Sequence, residues 1–322
     1  MKVGIIGAGI IAKKMALTLN LMEEAECYAI ASRSLEKAEV FARENKVEKA
    51  YGSYEEMLQD DEVELVYIAT PHSHHYECAK LCLKYKKPVL CEKAFMANAA
   101  QTREILEAFE RAGIFIAEAI WTRYLPSRRM IDEAIAAGEI GQVTMVTGNL
   151  CYELTKIERL MKPELAGGAL LDVGVYPLNF ISMVLGTGVE DVITSCVKTD
   201  TGVDAQNAVV LKYKNGTMGI AHSSILAGSE QMGIIYGTNG YLEAEEINNI
   251  TKIKAYDIDR NLRWEKSVPE QLTGFEDEVR ASIRAVKEGK LECEEMPHAE
   301  ILRMMELMDD LRKEWGVKYP FE

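Results

Sequence analysis

Side chains of types that can bind ligands and move protons follow two short apolar runs in the first third of the chain. The run Val89–Cys91 leads directly into Glu92 and Lys93, both predicted cofactor contacts. The run Leu65–Thr70 leads into a second group of predicted cofactor contacts, which consists of Thr70, Pro71, His72 and His75. In an open α/β sheet, ligands bind at the carboxyl ends of the strands, so both groups are expected to line one crevice. Lys93 is interpreted as functional there, with a solvated surface charge as the alternative.

A glycine-rich turn joins a strand to a helix at the start of the chain, within Val3–Ala12. Its pattern is G-x-G-x-x-A: Gly7 permits the tight turn, Gly9 lets the backbone approach a pyrophosphate, and the small Ala12 lets helix and strand pack closely. The N-terminus of the helix adds free N–H groups and a partial positive charge. The predicted cofactor contacts are Gly7, Gly9, Ile10, Ile11 and Ala12. This strand–turn–helix context, followed by a second strand, favours dinucleotide binding over a plain glycine turn.

The end of the second predicted strand discriminates between the two nicotinamide cofactors. NAD sites usually present Asp or Glu there, to hold the ribose hydroxyls. This chain has Ser32 and Arg33 instead. Without a carboxylate a 2′-phosphate is not repelled, and a guanidinium can pair with it through charge-assisted hydrogen bonds. Both residues are therefore predicted cofactor contacts, and NADP is the expected cofactor. NAD or dual use is the alternative if Arg33 is only a solvated surface residue.

The elements that must position these residues alternate between strands and helices. The predicted strands are the apolar runs Val3–Gly7, Tyr28–Ser32, Leu65–Thr70, Val89–Cys91 and Ile114–Ile120. Continuous apolar strands separated by helices are typical of a parallel sheet that is covered on both faces. We therefore expect an α/β architecture in which residues 1–122 form a doubly wound dinucleotide-binding (Rossmann) domain.

After residue 122 the pattern changes to successive strands. The predicted strands there are Gln142–Tyr152, Val192–Lys198, Ala208–Tyr213, Met218–Ser224 and Gly233–Tyr236, with a helix over Ala169–Leu185. Strands without intervening helices favour a large, mostly antiparallel sheet, hence an α+β substrate-binding domain over residues 123–322. Helices are assigned to only one face of this sheet. We therefore expect the other face to pair with a second copy, which gives a homodimer or higher homo-oligomer.

Composition bounds the class of protein. At 322 residues the chain is long enough for about two domains. Its net charge of −14 repels phosphate backbones and anionic lipid, which argues against nucleic acid and membrane partners. No apolar run is expected to reach the roughly 18 residues that cross a bilayer. The seven cysteines, without a Cys-x-x-Cys pair, favour a cytoplasmic location over a disulfide framework.

No metal is predicted, although three histidines lie close together at positions 72, 74 and 75. Zinc ligands are spaced so that they converge on one ion, whereas adjacent residues diverge. His75 is expected to support the cofactor crevice through its neighbours rather than to act on substrate.

The ordered set of motifs resembles the glucose–fructose oxidoreductase/inositol dehydrogenase/MocA family of dinucleotide-dependent oxidoreductases over essentially the whole chain. The set comprises the glycine turn, the segment Thr70–His75, the pair Glu92-Lys93 and the segment Gly167–Pro177. Within the family, the segment Glu118–Pro126 and Tyr176 resemble the branch of trans-dihydrodiol dehydrogenases and NADP-dependent aldose dehydrogenases. One departure is Ala94, where the family commonly has a proline that often carries a cis bond.

The resemblance implies a catalytic set of Lys93, Tyr176 and Asp172. Oxidising a hydroxyl carbon needs a hydride acceptor and a base, and Tyr176 would serve as the acid and base. A free phenol has a pKa of about 10, so a neighbouring cation, Lys93, would have to lower it. Asp172, one predicted helical turn before Tyr176, would orient Lys93 or bind a substrate hydroxyl. Trp121 and Arg123 would add substrate contacts. The alternatives are a core tyrosine and a structural acid.

The implied activity is that of an NAD(P)-dependent oxidoreductase, NADP-preferring, that interconverts a hydroxyl carbon and a carbonyl on a sugar or a cyclic diol. The family also contains members without catalytic activity, so a non-catalytic NADP- or sugar-sensing regulatory protein is the alternative. Retention of Lys93, Tyr176 and Asp172 favours the enzyme.

Overall fold

The computed structural model describes residues 1–322, which divide into two compact units. Unit 1 comprises Met1–Ile120 and Gln271–Glu306, and unit 2 comprises Trp121–Glu270 and Leu307–Glu322. The expected domain boundary after residue 122 stays a prediction. Residues 271–306, which the sequence pattern assigned to the 123–322 domain, group with unit 1. Long-range pairing contributes to this grouping, since the N–H of Ile116 donates to the carbonyl oxygen of Leu291 at 3.1 Å.

The sheet of unit 1 has six strands. They are β1 (Lys2–Ile6), β2 (Glu26–Ala31), β3 (Lys49–Tyr51), β4 (Leu65–Ile68), β5 (Val89–Glu92) and β6 (Ile116–Ala119). Their spatial order is β3-β2-β1-β4-β5-β6, and every neighbouring pair is parallel. This is the strand order of the doubly wound dinucleotide-binding fold. Its ligand crevice opens between β1 and β4, where the order of the strands in the sheet reverses. The predicted Rossmann architecture is confirmed.

The sheet of unit 2 has eight strands. They are β7 (Val143–Cys151), β8 (Val189–Lys198), β9 (Asp204–Tyr213), β10 (Met218–Ser224), β11 (Gly233–Gly237), β12 (Gly240–Glu245), β13 (Lys252–Asp257) and β14 (Leu262–Ser267). Their order is β14-β13-β12-β11-β7-β10-β9-β8. Only the β7–β10 pair is parallel, so the predicted large, mostly antiparallel sheet is confirmed.

Nine α-helices complete the two units. They are α1 (Ile10–Leu21), α2 (Leu35–Asn45), α3 (Tyr54–Leu58), α4 (His72–Lys84), α5 (Ala99–Ala112), α6 (Pro126–Ala136), α7 (Val175–Leu185), α8 (Glu276–Lys287) and α9 (His298–Trp315). Local sequence explains several of their ends. At α5, Asn98 Oδ1 accepts a hydrogen bond from the N–H of Gln101 at 2.9 Å, and Gly113 ends the helix with a left-handed φ of 67°. At α6, Pro126 occupies the first turn, where no backbone donor is needed.

The helix predicted over Ala169–Leu185 divides into two kinds of helix. Leu170–Gly174 is a π-helical turn, and α7 starts at Val175. Pro177 explains why the first turn is not α-helical. It has no N–H to donate to the carbonyl of residue 173, and its ring would crowd that carbonyl in a regular α-helix. A wider turn just before the proline accommodates both effects.

One apolar stretch exceeds the length expected from the sequence. Pro163–Leu185, 23 residues long, has a mean hydropathy of 1.5 over its 18-residue window, which suffices by length and composition to cross a membrane. However, 83% of that window is buried. In this fold the stretch is therefore core of unit 2.

Candidate active site

The glycine turn of unit 1 has the shape that a dinucleotide requires. Gly7 has a φ of +99°, and a Cβ there would lie 3.0 Å from the carbonyl oxygen of Ala69, so only glycine fits. A Cβ on Gly9 would meet nothing within 4 Å, which leaves open space beside the first turn of α1. That turn has no side-chain cap and no acidic residue. Its backbone N–H groups therefore suit an anionic pyrophosphate, and this part of unit 1 fits a dinucleotide.

The end of β2 carries the predicted specificity residues. Arg33 is exposed, and Ser34 rather than a carboxylate caps the next helix, accepting a hydrogen bond from the N–H of Lys37 at 3.4 Å. The guanidinium lies within electrostatic reach of α4, since burial and then the charge of Arg33 lower the pKa of His74. Arg33 and the start of α4 therefore lie close to each other, and their contact with a cofactor stays a prediction.

His75 connects the two loops that the sequence singled out. Its ring is fully buried, with Nε2 2.8 Å from the carbonyl oxygen of Thr70 and Nδ1 3.0 Å from that of Ala94. Burial lowers the pKa of His75, so the ring is neutral near pH 7 and donates from one nitrogen. His72 is also buried and packs edge-on against His75, with ring centroids 5.8 Å apart. The expected supporting role of His75 thus has a definite geometry, which the sequence did not supply.

Lys93 lies in a loop whose backbone is held by two buried carboxyl groups. Glu92 Oε2 accepts from the N–H of Lys93 at 3.2 Å, and Glu118 Oε1 accepts from the N–H of Phe95 at 2.9 Å. Tyr67 from β4 donates its hydroxyl to the other oxygen of Glu92. The Lys93 side chain itself is half-buried. The Lys93–Ala94 peptide bond is cis.

The double glycine of unit 2 lets three segments approach closely. A Cβ on Gly167 would lie 2.5 Å from the carbonyl oxygen of Leu160, and one on Gly168 would collide with Asp204 Oδ1. The other oxygen of Asp204 accepts from the N–H of Leu170 at 2.7 Å and from Asn207 Nδ2 at 2.9 Å. Burial raises the pKa of Asp204 to about 6. Because it accepts from the N–H of Leu170, the Asp204 carboxyl caps the start of the π-helical turn that carries Asp172.

Asp172 lies within the π-helical turn, and Tyr176 lies in α7, which follows it. Asp172 is buried, and Arg159 Nη2 donates to its Oδ1 at 2.8 Å. Tyr176 is half-buried in the first turn of α7. Because the π-helical turn lies between them, the shared face expected from α-helical spacing stays a prediction. Arg159 was missed by sequence reasoning, since a polar loop gives no periodicity that would indicate its course.

Trp121 and Arg123 lie in a short 3₁₀ helix, Trp121–Arg123, also in unit 2. Arg123 is buried; its Nε donates to Asn179 Oδ1 at 2.6 Å and its Nη2 donates to Ser182 Oγ at 3.0 Å. The guanidinium therefore holds α7, the helix that carries Tyr176. Contact of Trp121 and Arg123 with substrate stays a prediction.

The fold and the glycine turn define a class: oxidoreductases that bind a nicotinamide dinucleotide on a Rossmann domain. Residues 1–119 match the model of an oxidoreductase family with an NAD-binding Rossmann fold, and residues 129–243 match the GFO/IDH/MocA C-terminal domain. The chain belongs to the GFO/IDH/MocA family. The predicted family, the dinucleotide cofactor and the oxidoreductase activity are thereby confirmed.

Individual relatives match along most of the chain. Trans-1,2-dihydrobenzene-1,2-diol dehydrogenase of Danio rerio is 32% identical, with 98% of this chain and 97% of the relative covered. D-xylose 1-dehydrogenase (NADP(+)) of Hypocrea jecorina is also 32% identical, with 84% of this chain and 78% of the relative covered. The crystal structure of KijD10, a 3-ketoreductase from Actinomadura kijaniata, in complex with NADP and TDP-benzene, has a TM-score of 0.88 at 24% identity, with 97% of each chain covered. This last likeness concerns the fold alone.

Proposed function

We propose that the protein uses NADP, in preference to NAD, to interconvert a hydroxyl carbon and a carbonyl on a sugar or a cyclic diol. The observation that carries this proposal is the Lys93 loop: an amine placed directly after β5 at the ligand edge of the sheet, with its backbone held by buried carboxyl groups and by His75. The names of two relatives, a dihydrodiol dehydrogenase and an NADP-dependent xylose dehydrogenase, support the substrate class.

The proposed roles divide between binding and proton transfer. When bound, the cofactor supplies hydride exchange with the substrate carbon. Gly7, Gly9 and the first turn of α1 hold its pyrophosphate, and Arg33 holds the 2′-phosphate. Ser32, Thr70, Pro71 and His72 complete the contacts proposed at this edge. The phenolate of Tyr176, stabilised by the Lys93 ammonium, takes the proton of the substrate hydroxyl and becomes the neutral phenol.

Asp172 is proposed to orient the substrate rather than to take its proton. Its salt bridge with Arg159 favours the ionised carboxylate, which accepts hydrogen bonds but does not donate them. A substrate hydroxyl would thus be held by Asp172 while Tyr176 exchanges the proton. A polyhydroxylated substrate, with one hydroxyl for each task, fits these two acceptors.

The test of the activity is a substrate panel. Purified protein with NADPH is offered aldehydes, ketoses and diketones, and with NADP it is offered aldoses and cyclic diols, while the absorbance of the reduced nicotinamide is followed. We expect turnover with at least one sugar or diol. Tight NADP binding together with no turnover on the whole panel would favour the sensor alternative instead.

Arg33 is expected to control the choice of cofactor. Arg33→Ala removes charge-assisted hydrogen bonds worth about 1.5–3 kcal/mol, so the KM for NADP should rise by about tenfold to a hundredfold while the KM for NAD changes little. Arg43→Ala is the matched control, because Arg43 is also an exposed arginine, at the other end of α2. Equal effects of Arg33→Ala on both cofactors would show that this guanidinium does not bind the 2′-phosphate.

We also propose that two copies associate through the open face of the β7–β14 sheet. Gly219 and Gly233 face α7, since a Cβ there would meet Ile181 and Phe180. Side chains alternate along a strand, so the half-exposed Ile220 and Ile234 lie on the opposite face. A second copy of the same apolar face would cover these side chains.

Sedimentation velocity at micromolar concentration tests this association. We expect a dimer or a higher oligomer, and Ile220→Glu should shift the protein towards monomer because it places a charge in the interface. Lys84→Glu, at an exposed position of α4 in unit 1 and away from this sheet, is the control charge change. A wild-type protein that sediments as a monomer contradicts the proposal.

A reducing, cytoplasmic environment is proposed from the cysteines and the charge. All seven cysteines are free thiols, and six of them are buried. Such thiols act as small apolar side chains and need no oxidising compartment. The net charge of −14 supports a small-molecule substrate rather than nucleic acid or an anionic membrane as partner.

A further inference from the structure

A carboxyl group without a hydrogen-bonding partner is buried in unit 1. Glu278 of α8 is 0% exposed, and neither of its oxygens has a partner. A buried, unpartnered polar group is costly and occurs rarely in native proteins. Glu278 plays no part in the roles proposed above. Its position in the interior therefore requires an explanation of its own.

Two further buried carboxyl groups act on Glu278. Glu92 of β5 is 5% exposed and Glu118 of β6 is 2% exposed, and both interact electrostatically with Glu278. Glu278 also interacts electrostatically with three other titratable groups. They are Tyr67 of β4, and Asp277 and Glu276 of α8 itself. Side chains of this set are not arranged to hold a metal ion. Three buried like charges strongly repel one another.

Hydrogen-bond donors distinguish the three carboxyl groups. Glu92 accepts from the Tyr67 hydroxyl and from the N–H of Lys93, and Glu118 accepts from the N–H of Phe95. Donors of this kind stabilise an ionised carboxylate. Glu278 has no such donor, and burial together with the charge of Glu92 raises its pKa well above the ordinary range. The proton that relieves the repulsion therefore belongs on Glu278.

We propose that Glu278 is a positioning residue that carries a proton at neutral pH and thereby keeps Glu92, and the backbone of Lys93 bonded to it, in place. Ionised Glu278 would repel Glu92 across a low-dielectric interior. Glu92 would then move away and release the N–H of Lys93. The inference rests on the proposed function only in one respect, namely that the position of the Lys93 ammonium matters for turnover.

Infrared spectroscopy tests the protonation state without using turnover. A protonated carboxylic acid has a carbonyl stretch well separated from that of a carboxylate. At roughly pH 8, Asp204 with its pKa of about 6 is ionised, so Glu278 should be the buried acid that remains protonated. We expect wild-type protein to show this band and Glu278→Gln to lack it. Glu107→Gln, an exposed glutamate on α5, should keep the band.

The stability of the same variants gives a second measurement. The stabilisation from a neutral Glu278 is fully present below the ordinary pKa of glutamate, about 4.3, and is lost as the pH rises through its raised value in the folded protein. Glu278→Gln keeps the shape and neutrality of the protonated side chain and cannot ionise. The Tm of wild-type protein should therefore fall relative to that of Glu278→Gln as the pH is raised.

Kinetics then connect the proton to Lys93. Glu278→Ala should lower kcat, Glu278→Gln should restore much of it, and the alkaline loss of kcat in wild-type protein should move to higher pH in Glu278→Gln. A missing band in wild-type protein, or an identical band in Glu278→Gln, overturns the inference whatever the enzyme does with its substrates. Inactivity on the whole substrate panel refutes the proposed function instead, and leaves the infrared and Tm results to decide the state of Glu278.

Discussion

Replacing Lys93 with methionine should lower kcat by about a hundredfold to ten-thousandfold while NADP stays bound. Methionine keeps the length of the side chain but removes the ammonium, so the proton acceptor loses the charge that stabilises it, and groups that assist proton transfer contribute effects of this size. The loop should keep its shape, because its backbone bonds go to Glu92, Glu118 and His75 rather than to the amine. Steady-state turnover and a fluorescence titration with NADPH measure the two quantities separately.

The control is Lys84→Met, which removes an exposed lysine at the end of α4 in the same unit. It should leave both turnover and NADPH binding close to wild type. Full turnover in Lys93→Met would remove this lysine from the mechanism. A loss of NADPH binding as large as the loss of kcat would instead make Lys93 a cofactor-binding residue only.

Tyr176→Phe is the second change with a large expected effect. It deletes one hydroxyl oxygen from a half-buried ring, so the packing of α7 is retained and the acid/base is lost. A positioned acid/base contributes about a hundredfold to ten-thousandfold to the rate, and kcat should fall by that factor at unchanged Tm. Tyr236→Phe, on β11 of the same unit, removes a hydroxyl from a half-exposed tyrosine and should change neither quantity.

The double variant tests whether the two side chains act on the same step. Residues that work as one unit show non-additive losses, so Lys93→Met combined with Tyr176→Phe should be little slower than the slower single variant. Multiplied losses would show that the lysine and the tyrosine contribute independently. An intact kcat in Tyr176→Phe would leave a core tyrosine as the correct interpretation.

The sequence alone determined most of unit 1. Its strands are short continuous apolar runs, and such runs between helices have one common solution, a covered parallel sheet. The glycine turn followed from local geometry, since the φ of Gly7 permits no other residue. Local signals also located helix ends at Asn98, Gly113 and Pro126. Interactions within a few residues therefore sufficed for the dinucleotide-binding fold and its cofactor loop.

Strand prediction was weaker where local patterns carry less information. β3 was not predicted, because a three-residue edge strand is too short to show a period. β13 and β14 alternate apolar residues with lysine, arginine and glutamate, and their charged side chains give little hydrophobic signal. β13 forms by pairing with β12, and β14 by pairing with β13, and no single segment reveals these contacts.

The tertiary structure alone decided how the candidate site residues are supported. Arg159 reaches Asp172 because Gly167 lets the preceding loop approach closely, and Glu278 reaches the acids beside Lys93 although 185 positions separate it from Lys93 along the chain (278 − 93). Neither pairing leaves a periodic or local trace, because loop paths and long-range packing depend on every element at once. The charged residues that hold a reactive group in place lie far from it in the sequence. The reactive groups themselves can be recognised from their own short motifs.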